Sequence, residues 1–472
     1  MRLIPLYTWN KTIVHLGYRR RRFSEQPWAQ GVILLACVVV AMLLANLPWT
    51  RDFYFNLLET RVHIAVDSPN GPDFLFPKGM TVEKFINDIL MVVFFFTVGL
   101  EIKREIVCGE LSTPKKAIMP VIAALGGVLA PALIYALINH GTAASSGWGI
   151  PTATDIAFAV GIMSILGDKV PVSLKVFLTA LAIADDLMAI LVVAIFYGGD
   201  LNLGLLMIAL VLILVVLMMQ KLGEKRPWFY LFPAIAIWIL FYYSGIHATM
   251  SGVVMAFLIP MTPRYSKTYY FRKRKIYRRQ IDEYDRIHEE GGFPNGPQRF
   301  VLRELSKTSK DAIGLSYRLE HGLSPWVNFL IMPVFALANA GVRITDMSYF
   351  NVFQFSPELG SVSMGIFLGL LLGKPLGITL ASFLAVKAKV ASMPDGATWK
   401  KLLAVACLGG IGFTMSIFVD TLSFGDQPAE IMLKLRDMGK VAVLLGSICS
   451  GILGSLLVVL ISRSARQPKA QE

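Results

Sequence analysis

The chain has 472 residues, of which 55% are hydrophobic and 16% charged, and its mean hydropathy is +0.59. That balance excludes an ordinary soluble domain, and recurrent apolar runs without the alternation of an outer-membrane barrel predict an all-α bundle in an inner-type membrane. The formal charge of +13 does not call for nucleic acid, because the basic residues gather in the amino terminus and in alternate loops, as membrane orientation demands.

Residues 1–29 form a basic flank. Its "GYRRRRFSEQPW" faintly resembles a twin-arginine export signal, but the following "GVILLACVVVAMLLANLPW" is too long and too apolar for a signal core, and no A-x-A site follows. An uncleaved first span is the better reading. Hydropathy predicts spans near 30–49, 83–106, 116–139, 149–166, 174–197, 203–220, 228–244, 247–260, 324–342, 361–386, 401–420 and 438–462, twelve in all, with both termini on one side. Eight of them fall within 30–263 and four within 324–462, and residues 463–472 are a tail.

Between the first two spans, in a predicted periplasmic loop over 50–82, "RVHIAVDSPNGPDFLF" alternates around Asn70-Gly71. That is a hairpin signal for 61–79, and an exposed hairpin edge would let a second copy pair and form a homodimer; a plain loop is the alternative. Lys103, Arg104, Lys115, Lys116, Lys169, Lys175, Lys221, Lys225, Arg226, Lys387, Lys389, Lys400 and Lys401 all fall in loops on the amino-terminal side, so both termini are expected in the cytoplasm. The basic insertion at 264–323 lies on that side too. Its "FRKRKIYRRQIDEYDRIHEE" reads as a solvated loop, a regulatory site or an amphipathic helix on anionic headgroups. Cys37, Cys108, Cys407 and Cys449 lack metal or disulfide spacing and read as small hydrophobes.

Two spans look badly made. The fourth, "GWGIPTATDIAFAVGIMSIL", carries Pro151, Thr152, Thr154 and Asp155; the eleventh, "AVACLGGIGFTMSIFV", carries Gly409, Gly410 and Gly412, then Thr414 and Ser416. Irregular backbone at membrane depth survives only where protein or water satisfies it, and one interrupted span in each half points to an inverted-repeat transporter with its site at the midplane. Spans three to five and ten to twelve are the candidate repeats. In the tenth, Gly365, Gly369, Gly373 and Gly377 recur every four residues, which bares one helix face for close approach. Lys374 sits beside that ridge. "GLLLGKP" is too short for a phosphate-binding loop and has proline where Ser or Thr must hold magnesium, so no nucleotide or other cofactor is expected.

The fifth span, "LTALAIADDLMAILVVAIFY", buries two adjacent carboxylates, each costing roughly 2.5–3.5 kcal/mol at the bilayer centre. A static salt bridge would account for one aspartate and Lys374 but leaves further acid over. Adjacent helical residues point about 100° apart, so Asp185 and Asp186 take different partners while feeling one another's charge. A carboxylate that holds a proton cannot ligate a cation, whereas one that has lost it offers oxygen to a hard ion such as Na⁺ or Li⁺. Competition of the two for one site, opened alternately to each side, is an antiport cycle.

The motifs "FFFTVGLEIKRE", "ATDIAFAVG", "LTALAIADDLMAI", "SGIHATMSGV", "FALANAGV", "LLGKPLGI" and "GGIGFTMSIF" resemble, together and in order, those of the NhaA-type Na⁺/H⁺ antiporters, over most of the chain from the second span onward. The resemblance implies an electrogenic, pH-regulated exchanger that expels Na⁺ or Li⁺ against protons and serves sodium and pH homeostasis. By motif position Asp186 matches the main cation ligand and proton carrier, and Asp185 a second ligand or the lysine's partner. Lys374 matches a charge-compensating lysine, and Thr154 and Asp155 the crossing of the broken helices, where Asp155 balances positive helix ends and Lys374 negative ones. Asp88 matches an accessory buried acid, and Glu101, Glu105, Glu320 and His321 a pH-sensing funnel. His247 is a further candidate sensor. Two departures stand out: the 264–318 insertion is longer than the family's loop, and Ser324 occupies a position where a sensor histidine is expected.

Two other readings use the same acids. An intramembrane aspartyl protease would pair Asp155 with Asp185, but its YD and GxGD motifs are missing and a nearby ammonium would upset a shared-proton dyad. An antiporter for K⁺ or another cation fits the carboxylates equally well.

Overall fold

The computed structural model describes residues 26–62, 79–199, 201–287, 296–344, 347–356, 360–425 and 427–466. They are almost wholly helical. The first span is α1 (Pro27–Asn46), followed by the short α2 (Arg51–Glu59). A two-residue antiparallel ladder, β1 (Arg61–Val62) on β2 (Met80–Thr81), leads into α3 (Val82–Cys108). The Asn70-Gly71 turn expected between these strands lies outside the described residues. Thr81 starts α3 by accepting the Lys84 amide at 3.2 Å, which satisfies one donor of the exposed first turn.

The helices α4 (Pro114–Ile138), α5 (Ile156–Leu166), α6 (Val172–Phe196), α7 (Leu203–Lys221), α8 (Trp228–Ser244) and α9 (Met250–Leu258) follow. Then come α10 (Lys267–Ile287) and α11 (Gly296–Asp311), α12 (Leu315–Asn339), α13 (Val362–Lys387), α14 (Trp399–Gly409), α15 (Phe413–Ser423) and α16 (Ala429–Arg466). A 3₁₀ segment, Ala143–Thr152, precedes α5 and makes a bent pair with it at 41°, and α14 and α15 make a second at 49°. Among the described residues eight helices are long and apolar enough to cross a membrane, or ten if each bent pair is one span. The chain is therefore a multi-pass membrane protein. The segments expected as spans seven and eight form α8, with 17 residues, and α9, with nine, so twelve is not reached by length alone. The reason is local: Gly245, at φ +85°, ends α8 in a left-handed turn, and helix resumes only at Met250.

The basic insertion is helical too. α10 and α11 pack on one another, and Lys273 Nζ stands 5.9 Å and 5.8 Å from the ring centres of Tyr269 and Tyr277, within cation–π range. The apolar segment expected from 324 belongs to a helix that already begins at Leu315.

The chain divides into two compact units. One comprises Met1–Met91, Glu105–Gly198 and Asn328–Glu472, the other Val92–Arg104 and Gly199–Val327. The second is held by an apolar cluster that includes Leu100, Ile237, Phe241 and Met255. There Gly252 lets α9 close on α3: a Cβ at that position would stand 3.0 Å from the Phe96 amide. The first unit is built round Leu174, Phe177, Leu178, Ile378 and Leu402. Its tightest contact is α13 on α4. A Cβ on Gly377 would stand 2.7 Å from Ala130 Cβ, and one on Gly373 2.8 Å from Pro131 Cα, so the ridge of glycines is where two helix backbones meet.

Candidate functional site

Both broken spans lie in the first unit, and their breaks touch. The Asp155 amide donates to Ile411 O at 2.6 Å, and a Cβ at Gly412 would stand 2.8 Å from Ala153 O, which is why glycine is needed there. Asp155 closes the crossing. Its Oδ1 accepts the Phe158 amide of α5 at 3.2 Å, and its Oδ2 accepts both the amide and the hydroxyl of Thr414 in α15, at 3.1 Å and 2.5 Å. One carboxylate thus caps the starts of two helices, where partial positive charge collects.

The opposite ends are served by Lys374. Its side chain is fully buried, forms a salt bridge with Asp185 Oδ2 and donates to Thr154 Oγ1 at 2.6 Å. Thr154 in turn donates to Gly409 O at 2.7 Å, the carbonyl on which α14 ends, where partial negative charge collects. Lys374 follows directly on a π-turn, Gly369–Gly373, an irregularity common at functional positions. Asp185 Oδ1 has no donor among the described residues. Asp186, 3% exposed, comes next along α6, and its negative charge also acts on Lys374. Two adjacent buried carboxylates therefore share one buried ammonium, while the third, Asp155, is held by the helix starts. In a low dielectric such an excess is costly unless a proton or a small cation offsets it.

Asp88 stands on a π-turn of α3, Ile86–Leu90, beside a reciprocal amide pair between Asn87 and Asn339 at 3.0 Å and 2.8 Å. In the second unit Arg104 bridges to the buried Glu320 and stands 3.8 Å from Glu101. Glu105 accepts the Glu110 amide at 3.0 Å and belongs to the first unit. His321 is exposed and stacks on Tyr317, with ring centres 3.8 Å apart, and the His247 carbonyl accepts the Met250 amide as α9 begins.

The family profile described as Na⁺/H⁺ antiporter 1 matches residues 21–458. The chain belongs to that family. It is 40% identical over 448 residues to the Na(+)/H(+) antiporter NhaA of Phocaeicola vulgatus, covering 94% of this chain and 96% of that one. It is 41% identical over 453 residues to the protein of the same name from Oleidesulfovibrio alaskensis, with 95% of each covered. With that from Helicobacter pylori the identity is 38% over 463 residues, covering 97% and 99%. Family membership makes this chain a transporter rather than an enzyme, and the protease reading falls.

Two groups are not evident from sequence. Thr414 is only a polar residue after the glycines, with nothing to tie it to Asp155. Asp420 falls at the edge of the eleventh span expected from hydropathy, yet it is fully buried.

Proposed function

We propose that this Na⁺/H⁺ antiporter family member exchanges Na⁺ or Li⁺ for a larger number of protons, electrogenically and under pH control, at Asp185 and Asp186. The observation that carries the reading is the excess of two adjacent carboxylates, Asp185 and Asp186, over the one ammonium of Lys374, beside the crossing of two broken helices. Protons and a hard monovalent cation are alternative ways of offsetting that excess. Asp186, with Asp185, ligates the cation; when the cation leaves, protons take its place. Lys374 compensates charge and couples the two by exchanging its bond to Asp185, while Asp155 and Thr154 hold the helix ends through which the site opens. Asp88 supplies an accessory buried acid. Glu101, Glu105, Glu320, His321 and His247 provide the pH response, in which Glu320 holds Arg104.

The reading extends to the whole molecule. Twelve spans with inverted repeats, counting α8 and α9, keep both termini on one side of a bacterial inner membrane, the basic loops make that side the cytoplasm, and the working unit is a homodimer. No cofactor is required, since one charge moving through 100 mV releases about 2.3 kcal/mol.

The test uses everted vesicles from cells lacking their own antiporters, with a dye that reports ΔpH and Na⁺, Li⁺ and K⁺ added in turn. Na⁺ and Li⁺ are expected to dissipate the gradient for the wild type and to have no effect for Asp186→Asn. A response to K⁺ alone, or an unaltered variant, would overturn the assignment.

A further inference from the structure

One more buried acid stands on the far arm of the second broken span. Asp420 of α15 is fully buried, and neither of its carboxylate oxygens has a hydrogen-bond donor among the described residues. It rests on α16 at Gly439, where a Cβ would stand 3.0 Å from Asp420 Cγ. Only glycine admits the carboxylate so close to that helix.

The charged groups that act on it come from α16, and two tyrosines stand within reach of its charge. Lys440 and Arg436 of α16 attract it and Asp437 repels it; Asp437 in turn feels Glu83 of α3. Tyr135 of α4 and Tyr197 of α6 feel its charge. Their hydroxyls donate to the 3₁₀ segment, to Ala144 O and Ser146 O, both at 2.8 Å. Arg436 is turned towards Thr421 O and its buried Nε has no acceptor. One helical turn before Asp420, and so on the same face of α15, Ser416 is fully buried with a hydroxyl that has no partner. Two residues earlier stands Thr414, which holds Asp155.

Buried polar atoms without partners are uncommon in folded proteins, and here Ser416, Asp420 and Arg436 contribute four of them. A static ion pair would draw Asp420 onto Lys440 or Arg436 and satisfy both sides. A metal cation would be repelled by those same two side chains. A proton needs no shell of oxygens, and along α15 Ser416 lies between Asp420 and Thr414, which holds Asp155.

We propose that Asp420 is a further proton-binding carboxylate, besides Asp185 and Asp186, which exchanges its proton along α15 with the crossing. In the loaded form the carboxyl is neutral. On release its O–H bond breaks, the Ser416 oxygen takes that proton as its own O–H proton moves on to an ionised carboxylate at the crossing, and the carboxylate left behind is balanced by Lys440 and Arg436. This rests on the proton exchange proposed above and adds a site to it.

The test is pH-difference infrared spectroscopy of the purified full-length chain, reading the C=O stretch of protonated carboxyl groups without sodium. Taking the medium from acid to alkaline is expected to remove a component that is absent from Asp420→Asn and retained in Asp186→Asn and Asp437→Asn. Lys440→Gln, which leaves the carboxyl in place, is expected to shift the pH at which that component disappears. A spectrum of Asp420→Asn that reproduces the wild type would overturn the proposal, as would a component that no pH alters or one unmoved by Lys440→Gln. Because no sodium is present, failure here leaves Na⁺/H⁺ exchange standing, and vesicles without exchange leave the infrared result standing.

Discussion

Lys374 Nζ and Asp185 Oδ2 form a salt bridge in which neither side chain is more than 1% exposed, and Thr154 shares the ammonium. Removing one partner of so buried a pair strands the other charge, at a cost of about 3–5 kcal/mol, whereas removing both is far milder. Lys374→Ala is therefore expected to lower the unfolding midpoint in detergent sharply, and the double variant Lys374→Ala with Asp185→Asn to recover most of the loss. Scanning fluorimetry decides it. A double variant no more stable than the single one would show that the bridge contributes nothing beyond packing.

Asp155 accepts three hydrogen bonds and joins the two breaks. Asparagine keeps the size but puts an amide N–H₂ donor where one acceptor oxygen stood, so Asp155→Asn is expected to destabilise by about 1–3 kcal/mol. Thr414→Val removes only the hydroxyl donor and is expected to cost less, about 1 kcal/mol. Denaturation monitored by tryptophan fluorescence would give the order; equal costs would mean that the backbone contacts alone hold the crossing.

The defects in the two broken spans are legible in sequence because Pro151 and the glycines 409, 410 and 412 disrupt helix by local chemistry. Asp185, Asp186 and Lys374 are legible because charge in an apolar run is costly. What stays hidden is pairing: Lys374 meets Thr154 across 220 residues and Thr414 meets Asp155 across 259, and no local pattern encodes either. Asp420 is hidden for another reason, since an acid at the apparent edge of an apolar run looks solvated until α16 and the 3₁₀ segment are seen to cover it. The start of α12 escapes hydropathy because "LSYRLEHGLSPW" is amphipathic rather than apolar.

The glycine ridge of α13 makes a packing prediction. A methyl group on Gly377 meets Ala130 Cβ at 2.7 Å and backbone of Gly126 at 2.8 Å, and backbone cannot give way as a flexible side chain can. Gly377→Ala is expected to cost about 1–3 kcal/mol by overpacking. Gly322 of α12 has nothing within 4 Å of an added Cβ, so Gly322→Ala is expected to stabilise by about 0.5–1 kcal/mol through backbone entropy. Opposite shifts in the unfolding midpoint would confirm the pair; a loss at both positions would show that helix propensity is not the term being read at Gly322.

In the second unit the pair Arg104 and Glu320 is half-open, with side chains 30% and 6% exposed. Exposed pairs couple by about 0.2–1 kcal/mol, and the burial of Glu320 puts this one above that range. A double-mutant cycle of Arg104→Gln and Glu320→Gln is expected to give a coupling beyond about 1 kcal/mol. His321, exposed on Tyr317, is expected to change stability by less than about 0.5 kcal/mol when replaced by glutamine. If Arg104 and Glu320 serve the pH response, either substitution also moves the pH profile of exchange in vesicles. A strong coupling with an unmoved profile would make the pair a structural clasp between α3 and α12 and remove Glu320 from the sensor.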